Sequence, residues 1–281
     1  MNVSHPYQGL DAALATKHEK GSIIAPEFLR VLGMSVIEIE VDTDELGTFS
    51  GEVERIGTPR EVAIRKAKLG ISKSGQPRGL ASEGSIGADF YIPFINSDIE
   101  TLAFVDEEFG FEIVEAHRSL DITAQKIEIF SASELEDFLE KADFPNHKLI
   151  VRNENKPITF SRKGISNYEE LNRAIQNGLK LHPKIIIEND FRAHCSPSRQ
   201  ENIKKAAEKL ALRLLNLCTE CKTPGWGVVD YKRGLPCQMC GLESKEAAHS
   251  EILGCTKCNF RKNGKVLAEK IDPSKCNFCN P

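Results

Sequence analysis

Cys218-Thr-Glu-Cys221, Cys237-Gln-Met-Cys240, Cys255-Thr-Lys-Cys258 and Cys276-Asn-Phe-Cys279 punctuate the last third of the chain. Two residues between cysteines let one tight turn aim both sulfurs at one ion. A second such turn completes a tetrahedron of four thiolates. Of the nine cysteines in the 281-residue sequence, eight lie in these pairs. Residues 1–8 lack the basic-then-apolar pattern of a secretory signal, so the pairs read as metal ligands rather than disulfides. The 15-residue gap between the first two pairs and the 17-residue gap between the last two each contain hairpin material, at 227–231 and 265–269. Residues 218–281 are therefore expected to form a double zinc-ribbon module around two zinc ions. The simplest pairing is sequential, Cys218, Cys221, Cys237 and Cys240 on one ion and Cys255, Cys258, Cys276 and Cys279 on the other. A crossed arrangement, first pair with third, stays open, as do redox dithiols or an iron–sulfur cluster. Four thiolates leave no open coordination position, so both sites read as structural.

Residues 218–281 carry 10 Lys and Arg against 7 Asp and Glu, and the rest carries 27 against 34. The tail is mildly basic and the body acidic, without the basic stripe of a dedicated nucleic-acid binder. Trp226, Tyr231, Arg233, Phe260, Arg261 and Lys262 suit either a stacking surface for nucleic acid or the small core of a ribbon. No apolar run approaches the ~20 residues of a membrane span. A cytoplasmic protein with no membrane partner is expected.

Outward from the module, residues 1–217 alternate strand and helix signals. Strands are expected at 12–16, 34–41, 78–81, 101–105, 111–116 and 184–188, and extended segments at 147–152 and 157–160. Helices are expected at 26–32, 58–69, 133–141, 168–179 and 198–217. Thr58-Pro-Arg-Glu61 and the Ser133/Glu136 spacing read as capping boxes; Gly33 and Gly70 read as stops. Alternation of this kind predicts an α/β domain around one sheet. The hairpin-like pair at 101–116 makes that sheet mixed. The long last helix enters Cys218 with no linker.

Four segments of the body carry polar residues that a fold alone does not demand. Ala15-Thr-Lys-His-Glu-Lys20 follows the first strand, where α/β sheets bind ligands; Thr16, Lys17, His18 and Lys20 suit a phosphate. The acidic, glycine-bearing loop 42–55 offers Asp42 and Asp44 to Mg²⁺ and Arg55 to a ligand. Leu80-Ala-Ser-Glu-Gly-Ser-Ile-Gly87 sets Glu83 between Ser82 and Ser85, with glycines that let a ligand approach the backbone. In Glu188-Asn-Asp-Phe-Arg-Ala-His-Cys-Ser-Pro-Ser-Arg199, a continued strand puts Glu188, Asp190, Arg192 and His194 on one face. Ser198 then caps the long helix, whose N-terminus with Arg199 suits an anion. Cys195 reads as an incidental buried thiol. Walker, GxGxxG, GxSxG and HExxH motifs are absent.

Taken together, Leu14-Ala-Thr-Lys-His18, the 42–52 loop, Ala81–Gly87 and Arg192–Arg199, followed by the CxxC pairs, resemble domain-of-unknown-function family 6671. The order of parts also resembles the inosine triphosphate pyrophosphatase superfamily. Thr16, His18 and Lys20 stand where that superfamily has a hydroxyl–Asn–Lys phosphate loop. Glu61, Ala63, Lys66 and Ala67 match its ExAxxKA helix, and Ser196-Pro-Ser198-Arg199 stands in the place of its Ser-His-Arg. The resemblance implies Mg²⁺-dependent cleavage of nucleoside triphosphates. Lys17, Lys20 and Arg55 would hold phosphates. Glu83 with Asp42 or Asp44 would hold the metal, and Arg192, His194 and Arg199 would orient a nucleotide or other phosphate-bearing molecule. The competing expectation is a non-catalytic module that docks nucleic acid or a protein through its ribbons.

Overall fold

The computed structural model describes residues 5–17, 19–41, 56–131, 135–154 and 157–280. His18, Asp42, Asp44, Arg55 and Ser133 lie outside them. A five-stranded mixed sheet forms from β1 (Asp11–Thr16), β2 (Ser35–Glu40), β3 (Arg78–Ala88), β4 (Asn96–Asp106) and β5 (Phe111–Ser119), in the order β2-β1-β3-β4-β5. β1 is parallel to both neighbours, and β4 pairs antiparallel with both β3 and β5. β1 is Asp-Ala-Ala-Leu-Ala-Thr and is buried from Ala12 onward. Such a near-continuous apolar run is what a strand covered on both faces requires. One face carries Leu14, Leu80, Leu102, Phe104 and Ile113 against α1 (Gly21–Leu32) and α5 (Pro197–Leu215). The other carries Ala81 and Val105 against α2 (Pro59–Ser74).

Local chemistry sets the helix ends. Thr58 caps α2 in a full capping box: its hydroxyl accepts the Glu61 N–H, and the Glu61 carboxylate accepts the Thr58 N–H. The expected stop at Gly70 is passed, and α2 ends at Gly75, where φ is +71°. Gly70 serves a close approach instead, since a Cβ there would lie 3.2 Å from that of Ala15 on β1. α1 likewise begins at Gly21 rather than Pro26, its first N–H held by Glu38 at 2.7 Å.

Beside the central sheet stands a second, unexpected one. β6 (Lys126–Ile129), β7 (Leu149–Asn153), β8 (Ser161–Ile165) and β9 (Ile185–Asn189) pair antiparallel in the order β6-β9-β7-β8. With α3 (Glu136–Lys141) and α4 (Tyr168–Leu181) they enclose a separate core around Ile129, Leu149, Val151, Ile175 and Ile187. Ile185-Ile-Ile187 reads as a buried strand of either sheet, and periodicity alone cannot assign it.

α5 buries Arg199, Asn202, Ile203, Ala206, Ala207, Leu210, Ala211 and Leu214. This is the three-and-four spacing of a helix laid on a core. Its cap differs from expectation. The capping position is Ser196, whose side chain makes no capping bond, and Ser198 lies inside the first turn. The Ser198 N–H donates to His147 Nε2 at 3.2 Å, and the Ser198 hydroxyl lies 2.9 Å from the same nitrogen. Asp143 accepts from His147 Nδ1 at 2.8 Å. A cap is thus imported from the second sheet's side. His147→Ala is expected to destabilise the fold by about 1–2 kcal/mol through loss of that cap. An unchanged urea midpoint would remove the assignment.

The cysteine-rich end forms a three-stranded antiparallel sheet, β10 (Gly227–Pro236), β11 (Glu243–Gly254) and β12 (Arg261–Val266). It packs on the end of α5 and on β5. The Asn216 carbonyl accepts the N–H groups of Gly225 and Trp226, and Arg213 donates to the Gly225 carbonyl while pairing with Glu115. Gly225, at φ +96°, presses on Ile113 so closely that any Cβ would overlap it. Among the described residues no helix is long and apolar enough to cross a membrane.

Candidate functional site

Eight sulfurs gather into two groups, Cys218, Cys221, Cys255 and Cys258, and Cys237, Cys240, Cys276 and Cys279. The pairing is therefore crossed rather than sequential. Strand count explains it. Each strand carries the chain across the module once, so successive knuckles fall at alternate ends. The start of β10 lies beside the end of β11, Gly227 facing Gly254, which joins the first knuckle to the third. A bridge from Cys237 to Ile271 draws the fourth knuckle to the second. A ten- or twelve-residue strand spans roughly 33–40 Å, too far for its two flanking knuckles to share an ion.

Within each group the nearest sulfurs stand 3.6–3.8 Å apart. A tetrahedron whose corners lie ~2.3 Å from its centre has edges of about 3.8 Å, so both groups fit a four-thiolate metal ion. Backbone N–H groups of Met239 and Lys257 point at Cys237 and Cys255 Sγ at 3.4 and 3.3 Å. Trp226 stacks on Phe260, with ring centroids 5.5 Å apart. Those two rings thus pack on one another within the module.

The second constellation lies at the carboxyl end of β1. β1 has parallel neighbours on both sides, reached through helices on opposite faces of the sheet, and ligands settle at such points in α/β sheets. Pairing of β1 with β3 ends at Leu14–Leu80, so Ser82–Ser85 continue past it beside the end of β1. On the α5 side, Lys20 Nζ donates to Ser82 Oγ at 2.8 Å and Arg199 Nε donates to Glu100 Oε1 at 2.5 Å. Asn202 donates to Asp98 Oδ2 at 3.0 Å. On the α2 side, Lys66 pairs with Glu83 at 2.7 Å, both nearly fully buried. Burial, and then the neighbouring Arg199, pull Lys20 down to about 8. Lys20 and Arg199 thus share the α5 side of the sheet with Glu100 and Asp98, the Lys66–Glu83 pair lies across the sheet on the α2 side, and Lys20 is held in an environment that disfavours its charge.

Asp98 and Glu100 are both 0% exposed and share one face of β4. Asp98 Oδ1 and Glu100 Oε2 receive no donor among the described residues. Burial, and then the Glu100 charge, push Asp98 up to about 7. The folded state therefore keeps a proton that the unfolded chain releases near pH 4. The stabilisation is complete below that pH and is lost as pH rises through about 7. Asp98→Asn keeps the shape and cannot ionise. It is expected to flatten this decline and to exceed wild type by about 1–3 kcal/mol near pH 8. Urea unfolding at acid and alkaline pH checks it, and parallel declines in the two proteins would refute it.

The other expected residues are distributed as follows. Thr16 is buried at the end of β1, Lys17 is exposed and Ser85 is half-buried. The strand does not continue to His194. β9 ends at Asn189, and the Asp190 carboxylate accepts the N–H groups of Gly164 and Arg192, turning the chain into a 3-10 turn at Ala193–Cys195. Glu188, Asp190, Arg192 and His194 therefore share no strand face. Glu188 pairs with Arg152, and Arg192 pairs with Asp190. His194 is half-buried, and burial followed by the Arg192 charge lowers its pKa, while Glu19 of the β1 loop pulls the other way. Cys195 is buried, and burial pushes its thiol up to about 11, which makes it a poor nucleophile. Ser198 belongs to the His147 cap, and Arg199 pairs with Glu100. Lys66 as the partner of Glu83, and Asp98, Glu100 and Asn202, were not anticipated. Their one sequence signal is Ser97-Asp98-Ile99-Glu100, alternate acids opening a strand whose later residues are apolar.

The chain belongs to the family described as Domain of unknown function (DUF6671), whose model matches residues 66–281. That span holds Glu83, Glu100, Arg199 and all eight paired cysteines, while Lys20 lies before it. No curated protein and no solved structure matches the chain.

Proposed function

We propose that the charged cluster at the end of β1 hydrolyses a phosphoester or phosphoanhydride bond of a nucleotide-like molecule with the help of Mg²⁺, and that zinc fills both four-cysteine sites. The observation that carries the first part is Lys20, held among Arg199, Lys66 and buried carboxylates, where an arriving phosphate would complete the charge balance. Lys20 and Arg199 would neutralise phosphoryl oxygens, with Lys66 the counter-charge of Glu83. Hard cations take carboxylate oxygens, and Asp98 Oδ1 and Glu100 Oε2 fit that donor set. Glu83 is a further carboxylate at the same strand end, on the α2 side, and Asp42 and Asp44 belong to the segment before α2. Bound there, Mg²⁺ would neutralise charge on the transferring group. Water's oxygen forms the new bond to phosphorus, the bridging oxygen leaves with its electron pair, and Glu83 accepts the water's proton.

The test is release of phosphate and pyrophosphate from a panel of normal and deaminated nucleoside triphosphates, with and without Mg²⁺. Turnover by the wild-type chain, lost in Lys20→Ala, supports the reading. Silence across the panel, with no saturable nucleotide binding by calorimetry, removes it.

A second reading concerns the module. Met239, Leu242 and Phe278 are half or more exposed around the second cysteine group, which favours an apolar protein partner over nucleic acid. Capture that survives high salt and is lost on deleting residues 218–281 would support it. Capture abolished by salt would point to nucleic acid instead.

A further inference from the structure

The β3–β4 hairpin ends in Asp89-Phe-Tyr-Ile-Pro-Phe-Ile95. Phe90, Tyr91 and Phe94 are 85, 76 and 97% exposed, and Ile92 and Ile95 about two-fifths. The loop is nevertheless built rather than loose. Asp89 is buried, its Oδ1 accepts the N–H groups of Tyr91 and Ile92 at 3.0 and 2.9 Å, and Arg118 grips its carboxylate with two bonds. The Asp89 N–H donates to the Ile95 carbonyl at 2.8 Å, closing the loop. The Arg118 guanidinium lies 5.3 Å from the centre of the Tyr91 ring. A preorganised tip loses little freedom on binding.

Its chemistry narrows the occupant. No Lys or Arg stands between Arg78 and Arg118, and Arg118 is paired with Asp89, so the tip segment offers little of the positive charge that phosphate surfaces of nucleic acid or anionic lipid select. Asp89 is neutralised by Arg118, so two copies of the tip meet without like-charge repulsion. At roughly 200 Å² per aromatic side chain, the five exposed residues offer about 600–700 Å². A standard interface buries about 800 Å² per partner, and a lone soluble chain rarely leaves a larger contiguous patch bare. We propose that this tip is the contact through which two copies of the chain pair about a two-fold axis, with the aromatic rings of one tip interdigitating with those of the other.

Sedimentation of the full chain at tens of micromolar tests this. The expected particle has twice the 31.2-kDa chain mass. Phe90→Ser with Phe94→Ser is expected to give the single-chain mass with an unchanged circular-dichroism spectrum and a cooperative melt, since both positions are exposed. A wild-type chain that sediments as a monomer overturns the proposal, as does a double variant that stays dimeric. Anionic and zwitterionic vesicles form the control. A monomeric wild type that pellets with either would assign the tip to lipid and overturn it too.

Discussion

A chain carrying both Cys218→Ser and Cys255→Ser is expected to retain one zinc ion per molecule, and one carrying Cys218→Ser and Cys237→Ser none. The first pair of changes strikes one sulfur group twice, whereas the second strikes each group once. A structural zinc contributes on the order of 10–16 kcal/mol to the fold that closes on it, so loss of one thiolate in four is severe. The module has little else to hold it. From Gly227 onward the buried apolar side chains are Leu235 and three of the cysteines. With both ions gone, its three strands have almost no core and should unfold. Metal analysis after gel filtration in a weak chelator reads the stoichiometry directly. Sequential pairing would reverse the two outcomes, and no bound zinc in the wild type would remove the metal assignment altogether.

Glu83→Gln is expected to lower nucleotide turnover by about 10²–10⁴-fold, the usual worth of a positioned acid or base. The change also opens a buried ion pair, since Lys66 is the partner at 2.7 Å. Breaking one side of such a pair destabilises by about 3–5 kcal/mol, so lost activity alone would not separate chemistry from collapse. Adding Lys66→Met removes the orphaned charge and is expected to restore much of the lost stability. If Glu83 serves only as a counter-charge, turnover returns with the melting temperature. If it accepts the proton, the double variant melts near wild type and stays inactive. Full activity in Glu83→Gln itself would end the assignment.

What the sequence disclosed follows a physical line. Local signals were legible. The Thr58–Glu61 box lies within one turn, the α5 stripe repeats every three or four residues, and each CxxC knuckle is closed by its own turn. Relations set by tertiary topology were not legible. Which knuckles meet depends on how often the chain crosses the module, and no single knuckle carries that information. Asp98 and Glu100 sit alternately on a strand, which reads as a half-exposed face until α5 covers them with Arg199 and Asn202. Gly70 resembles a stop because the need it meets lies on β1, far away in sequence. The 188–194 segment misleads through Asp190, whose carboxylate bends the chain where alternation assumes it runs straight.

The α5 helix has a consequence for how the molecule moves. Its 19 residues span about 28 Å. Its first turns carry Arg199 and Asn202 against Glu100 and Asp98, and its last carries Arg213 under the Gly225 carbonyl. A helix is stiff along its axis, and Gly225 packs against Ile113 with no space for a side chain. The cysteine module and the charged cluster are therefore two ends of one strut. In nuclear relaxation, amides of β11 and β4 should report a single common tumbling time. Distinctly faster tumbling of β11 would show a hinge at Asn216.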